Sequence, residues 1–336
     1  MAGCRIFAPE RVCALAGARE GPKAVPFARF GGALARTFRQ YRGHIIIGAA
    51  GIAVRALAPL LSHKSEDAPV VVLDARGRYA VSLLSGHWGG GNSLARHVAL
   101  LLGGEAVITT ASDALAGGAP ALDELARAAG LRILDWDRLP RVAAALLEGE
   151  AVPLSDPLGC LPEAAPPRFR RGAEGAAGGV PLVRIHWKYT QPAPGLLRVA
   201  APLLHAGVGC RRGVDAAAIV DAVRQTLAAH GLEPAALAGL ATVREKAAEP
   251  GLLEAARRLG LPLRAFPAPE LAEVPVPHPS AAAGARFGLP AFSVCEGAAL
   301  LAAQRDGTRG TLLAAPKTVF QGRITVAIAV CQGEGQ

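Results

Sequence analysis

The sequence has few aromatic residues and lacks the cysteine pairs and long apolar runs that mark several classes of protein. Aromatic residues make up 4% of the 336 residues, and the six cysteines form no C-x-x-C pair. Zinc sites and disulfide frameworks need closely spaced partners, so we expect reduced thiols and no protein-bound metal. No segment has the roughly 18 consecutive apolar residues of a membrane span, and MAGCRIFAPE lacks the apolar core of a signal peptide. These absences favour a cytoplasmic protein that does not enter a membrane.

Tracts of basic residues are also missing, although the formal net charge is +9. The arginines occur singly or in pairs such as Arg211–Arg212, without interleaved aromatic residues. This pattern gives little support for nucleic acid as a partner. A positive balance suits an acidic partner, such as a substrate with several carboxylates. A compositional bias toward arginine explains the same charge equally well.

Short apolar runs alternate with glycine turns and helical stretches in two zones of the chain, a pattern typical of α/β proteins. The length suits two domains, and 51% of the residues are hydrophobic. We therefore expect two three-layer α/β domains joined by a small middle subdomain and a Pro/Gly-rich linker. The expected domains are residues 1–115, 116–200 and 201–336, and residues 151–200 are expected to be rich in loops.

Individual elements can be placed from the apolar runs and from the residues that begin and end helices. HIIIGAAGIAVRALAPLL predicts a strand at Ile45–Ile47, a glycine turn and a helix from near Ile52. VVVLDARGRYAVSLL predicts two strands around a turn at Arg76–Gly77. Helices are expected at Ser93–Leu102 and at Asp215–His230, each followed by glycine. TLLAAPKTVFQGRITVAIAV predicts a closing hairpin.

The stretch LLSGHWGGGNSLARHVA has the glycine content of a phosphate-binding loop but not its spacing. A Walker loop needs Lys and then Ser or Thr after its last glycine, and Asn92 and Ser93 stand there instead. The dinucleotide fingerprint G-x-G-x-x-G is not met by Gly86 and Gly89–Gly91. Neither nucleotide-binding motif is therefore present in this stretch.

The same stretch still has features that suit another anion. Asn92 is a good helix N-cap residue, and the amides of the helix start would then point back into the glycine loop. Glycines allow backbone N–H groups to approach a ligand closely, and helix starts attract anions. Ser85 and His87 add a hydroxyl and an imidazole that can hold or move a proton near neutral pH. A flexible turn with a surface histidine is the alternative that this stretch alone leaves open.

Other groups able to bind carboxylates follow predicted strands or begin predicted helices, where open α/β sheets bind ligands. In the first zone they are Gly48, Gly51, Arg55, Lys64, Thr109, Thr110 and Asp113, and in the third zone Gly209, Arg211, Arg212, Lys246 and Glu296. Each has a structural alternative: a tight strand–helix turn, a solvated loop, a helix cap or a favourable helix-dipole charge.

In their order and spacing, these motifs resemble the cobalt-precorrin-5A hydrolase (CbiG) family of anaerobic cobalamin biosynthesis. The resemblance rests on GAAGIAVRALAPLLSHKSEDAPVVVLD, LLSGHWGGGNSLARHVA and VITTASD in the first zone. In the third zone it rests on GVGCRRG, TVREKAAEPGL, SVCEGAAL and the APK…ITVAIA ending. It covers most of the chain and leaves the middle zone without assigned residues.

The resemblance implies a substrate, a reaction and positions for the site. The substrate would be an anionic cobalt corrinoid with a δ-lactone, opened by water with release of acetaldehyde to give cobalt-precorrin-5B. The cobalt would belong to the substrate, so no cofactor is expected, and neighbouring pathway enzymes are expected partners. We expect His87 to act as base or proton shuttle, the amides of Gly89–Gly91 to stabilise the oxyanion, and Lys64 and Asp113 to assist catalysis. The other residues named above, with Ser85 and Asn92, are expected to bind substrate carboxylates.

Two other functions are weighed against this one. A corrinoid-binding or handover protein of the same pathway would bind the corrinoid without releasing acetaldehyde. A Rossmann-type oxidoreductase would need the dinucleotide fingerprint that the sequence lacks.

Overall fold

The computed structural model describes residues 4–16, 23–110, 121–161, 168–307 and 310–331. The chain forms two compact units, Met1–Glu124 and Leu125–Gln336, which we call the first and second units. Among the described residues, no helix has both the length and the apolar character needed to cross a membrane.

The first unit contains a two-stranded parallel sheet and a four-stranded mixed sheet. The four-stranded sheet has the order β3-β4-β5-β6, in which β4 and β5 are antiparallel and the other two pairs are parallel. The strands are β1 (Phe7–Pro9), β2 (Val25–Phe27), β3 (His44–Ile47), β4 (Val70–Leu73), β5 (Tyr79–Leu84) and β6 (Glu105–Val107). The helices are α1 (Glu10–Ala16), α2 (Phe30–Thr37), α3 (Ala50–Leu57) and α4 (Gly91–Leu102), and α5 (Leu122–Ala128) spans the boundary between the units.

The apolar runs of the first unit form its core. Every residue of β4 is buried, because helices cover both faces of the strand: α2 and α3 pack on one face and α4 on the other. The predicted pair of strands around Arg76–Gly77 is confirmed, with a left-handed turn at Gly77. The prediction that α4 begins at Ser93 with Asn92 as N-cap is wrong, because the helix begins at Gly91 after a left-handed Gly90.

The second unit begins with a five-stranded sheet of order β7-β11-β10-β8-β9, which lies in the predicted middle zone. Its strands are β7 (Arg132–Ile133), β8 (Val152–Ser155), β9 (Phe169–Arg171), β10 (Leu182–His186) and β11 (Leu196–Ala200), and α6 (Leu139–Glu148) lies between β7 and β8. The prediction that residues 151–200 are rich in loops named no strand there. The structure has four short strands among the prolines and glycines of this region, and parallel pairing joins all four.

A second five-stranded sheet, of order β14-β13-β12-β16-β15, forms the rest of the second unit. Its strands are β12 (Leu204–Cys210), β13 (Leu237–Val243), β14 (Leu263–Phe266), β15 (Thr311–Phe320) and β16 (Ile324–Cys331). The helices are α7 (Ala216–Ala229), α8 (Pro250–Leu259), α9 (Ala268–Ala272), α10 (Ala281–Phe287) and α11 (Val294–Asp306). The predicted closing hairpin is confirmed as the antiparallel pair β15–β16.

Helices α7 and α11 pack against this sheet, and particular residues begin one helix and allow the close approach of the other. The predicted helix over Asp215–His230 is confirmed as α7, and Asp215 caps it, its carboxylate accepting a bond from the Ala217 amide at 3.2 Å. Helix α11 approaches β12 so closely that a Cβ on Gly207 would lie 1.8 Å from the carbonyl oxygen of Cys295. Mixed sheets flanked by helices confirm the predicted α/β class.

Candidate active site

The glycine-rich loop, residues 85–91, joins β5 to α4 and is closed by its own backbone hydrogen bonds. The Gly90 amide donates to the His87 carbonyl at 3.0 Å, and the Gly91 amide donates to the Ser85 carbonyl at 3.0 Å. The amide of Leu94, in the first turn of α4, donates to the Gly90 carbonyl at 2.9 Å. Gly90 and Gly91 therefore do not offer the oxyanion donors expected of them, because a carbonyl of the loop accepts from each amide.

Steric crowding within the loop explains its glycines. A Cβ on Gly89 would lie 2.5 Å from the Ser85 Cβ, and one on Gly91 would lie 2.7 Å from the Leu84 carbonyl oxygen. Gly90 has a φ of +82°, which L side chains rarely adopt. The glycines thus hold a specific tight turn, which differs from both the flexible turn and the open anion cradle.

A second turn, residues 62–67, is bound to the glycine-rich loop. The Ser85 hydroxyl donates to the Asp67 carbonyl at 2.8 Å, and the Trp88 indole N–H donates to the Ser65 carbonyl at 3.2 Å. Lys64 lies exposed in this turn. The structure therefore brings Lys64 into the neighbourhood of Ser85 and His87, as the prediction of a common site requires.

His87 lies beside a carboxylate that the sequence did not indicate. Its Nδ1 is 3.6 Å from Oδ1 of Asp123 in α5, and the two side chains are 13% and 16% exposed. A partly buried carboxylate at this distance stabilises a protonated imidazole and restricts its orientation. The expected role of His87 as base or proton shuttle stays a prediction, to which the structure adds Asp123 as a neighbour.

The opposite end of the loop contacts the residues that follow β6. Asn92 is 4% exposed, and its side-chain amide donates to the Thr110 hydroxyl at 3.0 Å. Asn92 therefore links α4 to the end of β6 instead of capping the helix. Thr109 is exposed, whereas Asp113 lies outside the described residues.

The turn after β3, which holds Gly48 and Gly51, lies at the opposite end of the strands from the glycine-rich loop. Because β5 runs antiparallel to β4, the end of β5 at Leu84 pairs with Val70, where β4 begins. The turn after β3 lies beside Leu73, where β4 ends, and the Gly48 amide donates to the Leu73 carbonyl at 2.9 Å. The structure therefore does not bring Gly48, Gly51 and Arg55 next to the glycine-rich loop, and the Arg55 side chain is exposed. Their expected binding of substrate carboxylates stays a prediction.

In the second unit, some predicted binding residues meet at a cavity of about 210 Å³. Gly209 and Lys246 line it, together with Cys210, at the carboxyl ends of β12 and β13. The Lys246 ammonium is 2.9 Å from Oε2 of Glu249, so its charge is already paired. Burial raises the pKa of the Cys210 thiol. Arg211 and Arg212 follow β12 and are exposed.

Glu296 differs from its predicted setting. It lies in the first turn of α11, as expected, but it is fully buried, and its carboxylate accepts hydrogen bonds from His278 and Lys317. Among the described residues, no group of three or more His, Cys, Asp and Glu side chains is placed to hold a metal ion.

Three family models match this chain. Residues 32–113 match Cobalamin synthesis G N-terminal, residues 120–193 match Cobalamin biosynthesis central region, and residues 204–329 match Cobalamin synthesis G C-terminus.

Curated relatives match it over most of its length. A cobalt-precorrin-5A hydrolase of Salmonella typhimurium is 34% identical over 74% of this chain and 73% of the relative. One of Priestia megaterium is 30% identical over 87% of this chain and 79% of the relative. A solved structure of CobE, a protein from the cobalamin biosynthetic pathway, is 36% identical over 39% of this chain and 92% of that chain, with a TM-score of 0.37. Because two cobalt-precorrin-5A hydrolases are 30% and 34% identical to it over most of its length, the chain belongs to the cobalt-precorrin-5A hydrolase (CbiG) family of cobalamin biosynthesis.

Proposed function

We propose that this protein hydrolyses cobalt-precorrin-5A, opening its δ-lactone with water and releasing acetaldehyde to give cobalt-precorrin-5B. The observation that carries the proposal is the similarity to a relative named cobalt-precorrin-5A hydrolase over 74% of this chain. The His87–Asp123 pair supports it, because lactone hydrolysis needs a group that takes a proton from the attacking water.

In the proposed first step, His87 removes a proton from water as the oxygen bonds to the lactone carbonyl carbon. Asp123 stabilises the imidazolium that forms. The ester C–O bond then breaks, and the alkoxide leaving group takes the proton back from His87. Lys64, in the turn bound to the loop, is the proposed stabiliser of the developing oxyanion, since the Gly90 and Gly91 amides donate within the loop.

The second step breaks a carbon–carbon bond. The alcohol released from the lactone loses its proton, and its C–O bond becomes the C=O of acetaldehyde. The C–C bond to the macrocycle breaks, and the macrocycle takes the electron pair and a proton. The sum is substrate plus water giving product plus acetaldehyde. It needs no redox cofactor, and the cobalt enters and leaves with the substrate.

The cellular setting is part of the proposal. We place the reaction in the cytoplasm, with the product passed to other enzymes of the pathway. Arg211, Arg212 and Lys246 remain proposed contacts for carboxylate arms of the corrinoid.

The test is incubation with cobalt-precorrin-5A, followed by product mass and trapping of acetaldehyde. His87→Ala should reduce the rate of acetaldehyde release about 10²-fold or more, because it removes the proton acceptor. His97→Ala, which removes an exposed histidine of α4, is the matched control and should keep the wild-type rate.

An unchanged substrate mass with active controls would refute the hydrolase and favour a corrinoid-binding protein without chemistry of its own. A normal rate in His87→Ala would refute the role of His87 alone.

A further inference from the structure

A histidine and a buried glutamate form a pair in the second unit, in a different unit from the His87–Asp123 pair. His278 lies in the loop between α9 and α10, and Glu296 lies in the first turn of α11. The ring Nδ1 of His278 is 2.8 Å from Oε1 of Glu296, and the His278 amide donates to Oε2 at 3.1 Å. The Lys317 amide of β15 also donates to Oε1, at 3.1 Å. The carboxylate is therefore fixed by three donors from two segments.

This geometry determines which ring nitrogen is available. The carboxylate only accepts, so Nδ1 carries the hydrogen, and the lone pair of the neutral ring is at Nε2. The His278 side chain is 54% exposed, whereas that of Glu296 is fully buried. Among the hydrogen bonds and ion pairs of the described residues, none involves His278 Nε2. Burial raises the pKa of Glu296, but the hydrogen bonds from His278 and Lys317 outweigh burial and keep it below its ordinary value.

A histidine that donates one N–H to a carboxylate and presents its other nitrogen outward is typical of metal ligands. The carboxylate fixes the tautomer and the ring orientation and raises the basicity of the ligating nitrogen. We propose that His278 binds the cobalt of a corrinoid as an axial ligand through Nε2, with Glu296 as its positioning residue. The proposal rests on the proposed function in one respect, that the ligand of this chain is a cobalt corrinoid.

A single histidine is sufficient for this type of metal binding. The corrin ring supplies four nitrogen ligands in its plane, so the protein needs only one ligand along the axis. A cluster of several metal-binding side chains, which the described residues do not contain, is therefore not required.

The surroundings of His278 suit an anionic macrocycle. The Lys317 ammonium donates to the His278 carbonyl at 3.4 Å, so a positive charge lies beside this residue. That charge attracts the carboxylate arms of a corrinoid.

A purely structural role explains only part of this arrangement. Glu296 holds the loop of His278 and β15 against α11 through two backbone amides, and the imidazole Nδ1 gives the buried carboxylate a third donor. This structural role gives no reason for a histidine ring whose second nitrogen faces outward. The two explanations therefore differ in what the side chain of His278 does, which a variant of that side chain can test.

The experiment uses the full-length protein and cobalt(II) cobyrinic acid, a polycarboxylate cobalt corrinoid without a δ-lactone or a base of its own. Low-spin cobalt(II) has its unpaired electron along the axis, so one axial nitrogen splits each cobalt line of the electron paramagnetic resonance spectrum into three. We expect this splitting with the wild-type protein. In protein labelled with ¹⁵N-histidine, the three lines should become two.

The variant series tests which histidine is the ligand. His278→Ala should remove the nitrogen splitting while the protein stays folded, because the side chain is half exposed and the backbone bonds to Glu296 remain. The melting temperature should fall modestly, since the buried Glu296 carboxylate loses one donor. Added imidazole should restore the splitting in this variant. His230→Ala, which removes an exposed histidine after α7, is the matched control and should give the wild-type spectrum. Glu296→Gln, if folded, should bind the corrinoid roughly 10–100-fold more weakly.

Two results would overturn the proposal. One is a wild-type spectrum without nitrogen splitting, whether because water occupies the axial position or because the corrinoid does not bind. The other is a splitting that persists in His278→Ala. Acetaldehyde release measured on the same wild-type protein separates the two proposals, because release without nitrogen splitting refutes only the axial ligand.

Discussion

At the scale of single residues, the proposed mechanism depends on the pairing of His87 with Asp123. The imidazole is 13% exposed, so a proton that it accepts produces a charge that little water can stabilise. Asp123 supplies the opposite charge at 3.6 Å. An opposite charge at this distance stabilises the imidazolium that the proposed mechanism forms.

Replacing that carboxylate tests the pairing. Asp123→Asn keeps the size of the side chain and removes its charge, so the imidazolium in the transition state is less stabilised. We expect kcat for acetaldehyde release to fall roughly ten- to a hundredfold with little change in KM, since Asp123 is not placed to hold a corrinoid arm. Steady-state kinetics checks this. A fall in kcat/KM caused only by a raised KM would instead make Asp123 a substrate-binding residue.

The sequence indicates which residues can take part in catalysis or binding better than it indicates which side chains they contact in the fold. His87, Ser85 and Lys64 stand out by residue type near a glycine-rich stretch, and the structure does place them in neighbouring turns. Asp123 and His278 have no local pattern, because each meets its partner only through the folded chain. The sequence also does not indicate that Glu296 is buried, since a glutamate in the first turn of a helix is usually exposed to solvent and interacts with the helix dipole.

At the scale of elements, the glycine-rich loop positions His87 by crowding. Two loop carbonyls accept the amides of Gly90 and Gly91, and the indole N–H of Trp88 fixes the loop to the second turn. A loop held in this way keeps the backbone of His87 in place before any substrate binds.

Adding one methyl group should disturb this positioning. A Cβ at residue 89 would lie 2.5 Å from Ser85 Cβ and 2.8 Å from its carbonyl oxygen, so Gly89→Ala should destabilise the protein by roughly 1–3 kcal/mol. We also expect lower kcat, since His87 is two residues away. Gly31→Ala in α2 is the matched control: no atom lies within 4 Å of the added group, and alanine favours helix. Equal melting temperatures and rates for the two variants would show that the loop is not held by crowding.

The elements of the first unit were predictable from apolar runs and turn glycines, but their directions were not. Parallel and antiparallel pairing of β4 and β5 would use the same short apolar runs, and only the tight turn at Gly77 favours a hairpin. Because β3 is parallel to β4 and β5 is antiparallel to it, the turn after β3 and the loop after β5 lie at opposite ends of the strands. The sequence predicts strands and turns but not the order and direction of all strands, which decide which strand ends lie together in a mixed sheet.

At the scale of the whole molecule, the α/β class followed from composition and pattern, whereas the sheet in the middle region did not. Its strands are two to five residues long, and β8 contains a proline. Such short runs lack the alternation that identifies a strand, and they become strands because parallel neighbours satisfy their backbone groups.

Buried and partly buried histidines in the two units make the stability of the molecule depend on pH. Burial lowers the pKa of His44 in the first unit. In the second unit burial lowers the pKa of His186, helped by the charges of Lys188 and Arg184. It also lowers the pKa of His205, where the charge of Arg264 adds to burial and that of Asp306 opposes it. The unfolded chain, in which these rings titrate near 6.5, therefore binds more protons than the folded protein at mildly acidic pH.

The sign of the effect follows from linkage. Stability from these histidines is fully present above pH 6.5 and is lost as the pH falls through that value toward the lower pKa of the folded state. Carboxylates with lowered pKa, such as Glu296, contribute stability that is lost only as the pH falls below their ordinary value of 4.5. The melting temperature should therefore fall in two stages, first below about pH 6.5 and again below about pH 4.5.

Differential scanning calorimetry between pH 8 and pH 4 should show the first stage, and a variant of His205 should reduce it. His205 is 2% exposed, and its Nδ1 has no hydrogen-bond partner among the described residues, so burial opposes protonation of this ring and lowers its pKa. His205→Gln removes this titration, and the melting temperature of the second unit should then fall less between pH 7 and pH 5 than in the wild type. His97→Gln, in the first unit and exposed, should leave the wild-type slope. A melting temperature that stays constant or rises as the pH drops from 7 to 5 would contradict the assignment of the first stage to buried neutral histidines.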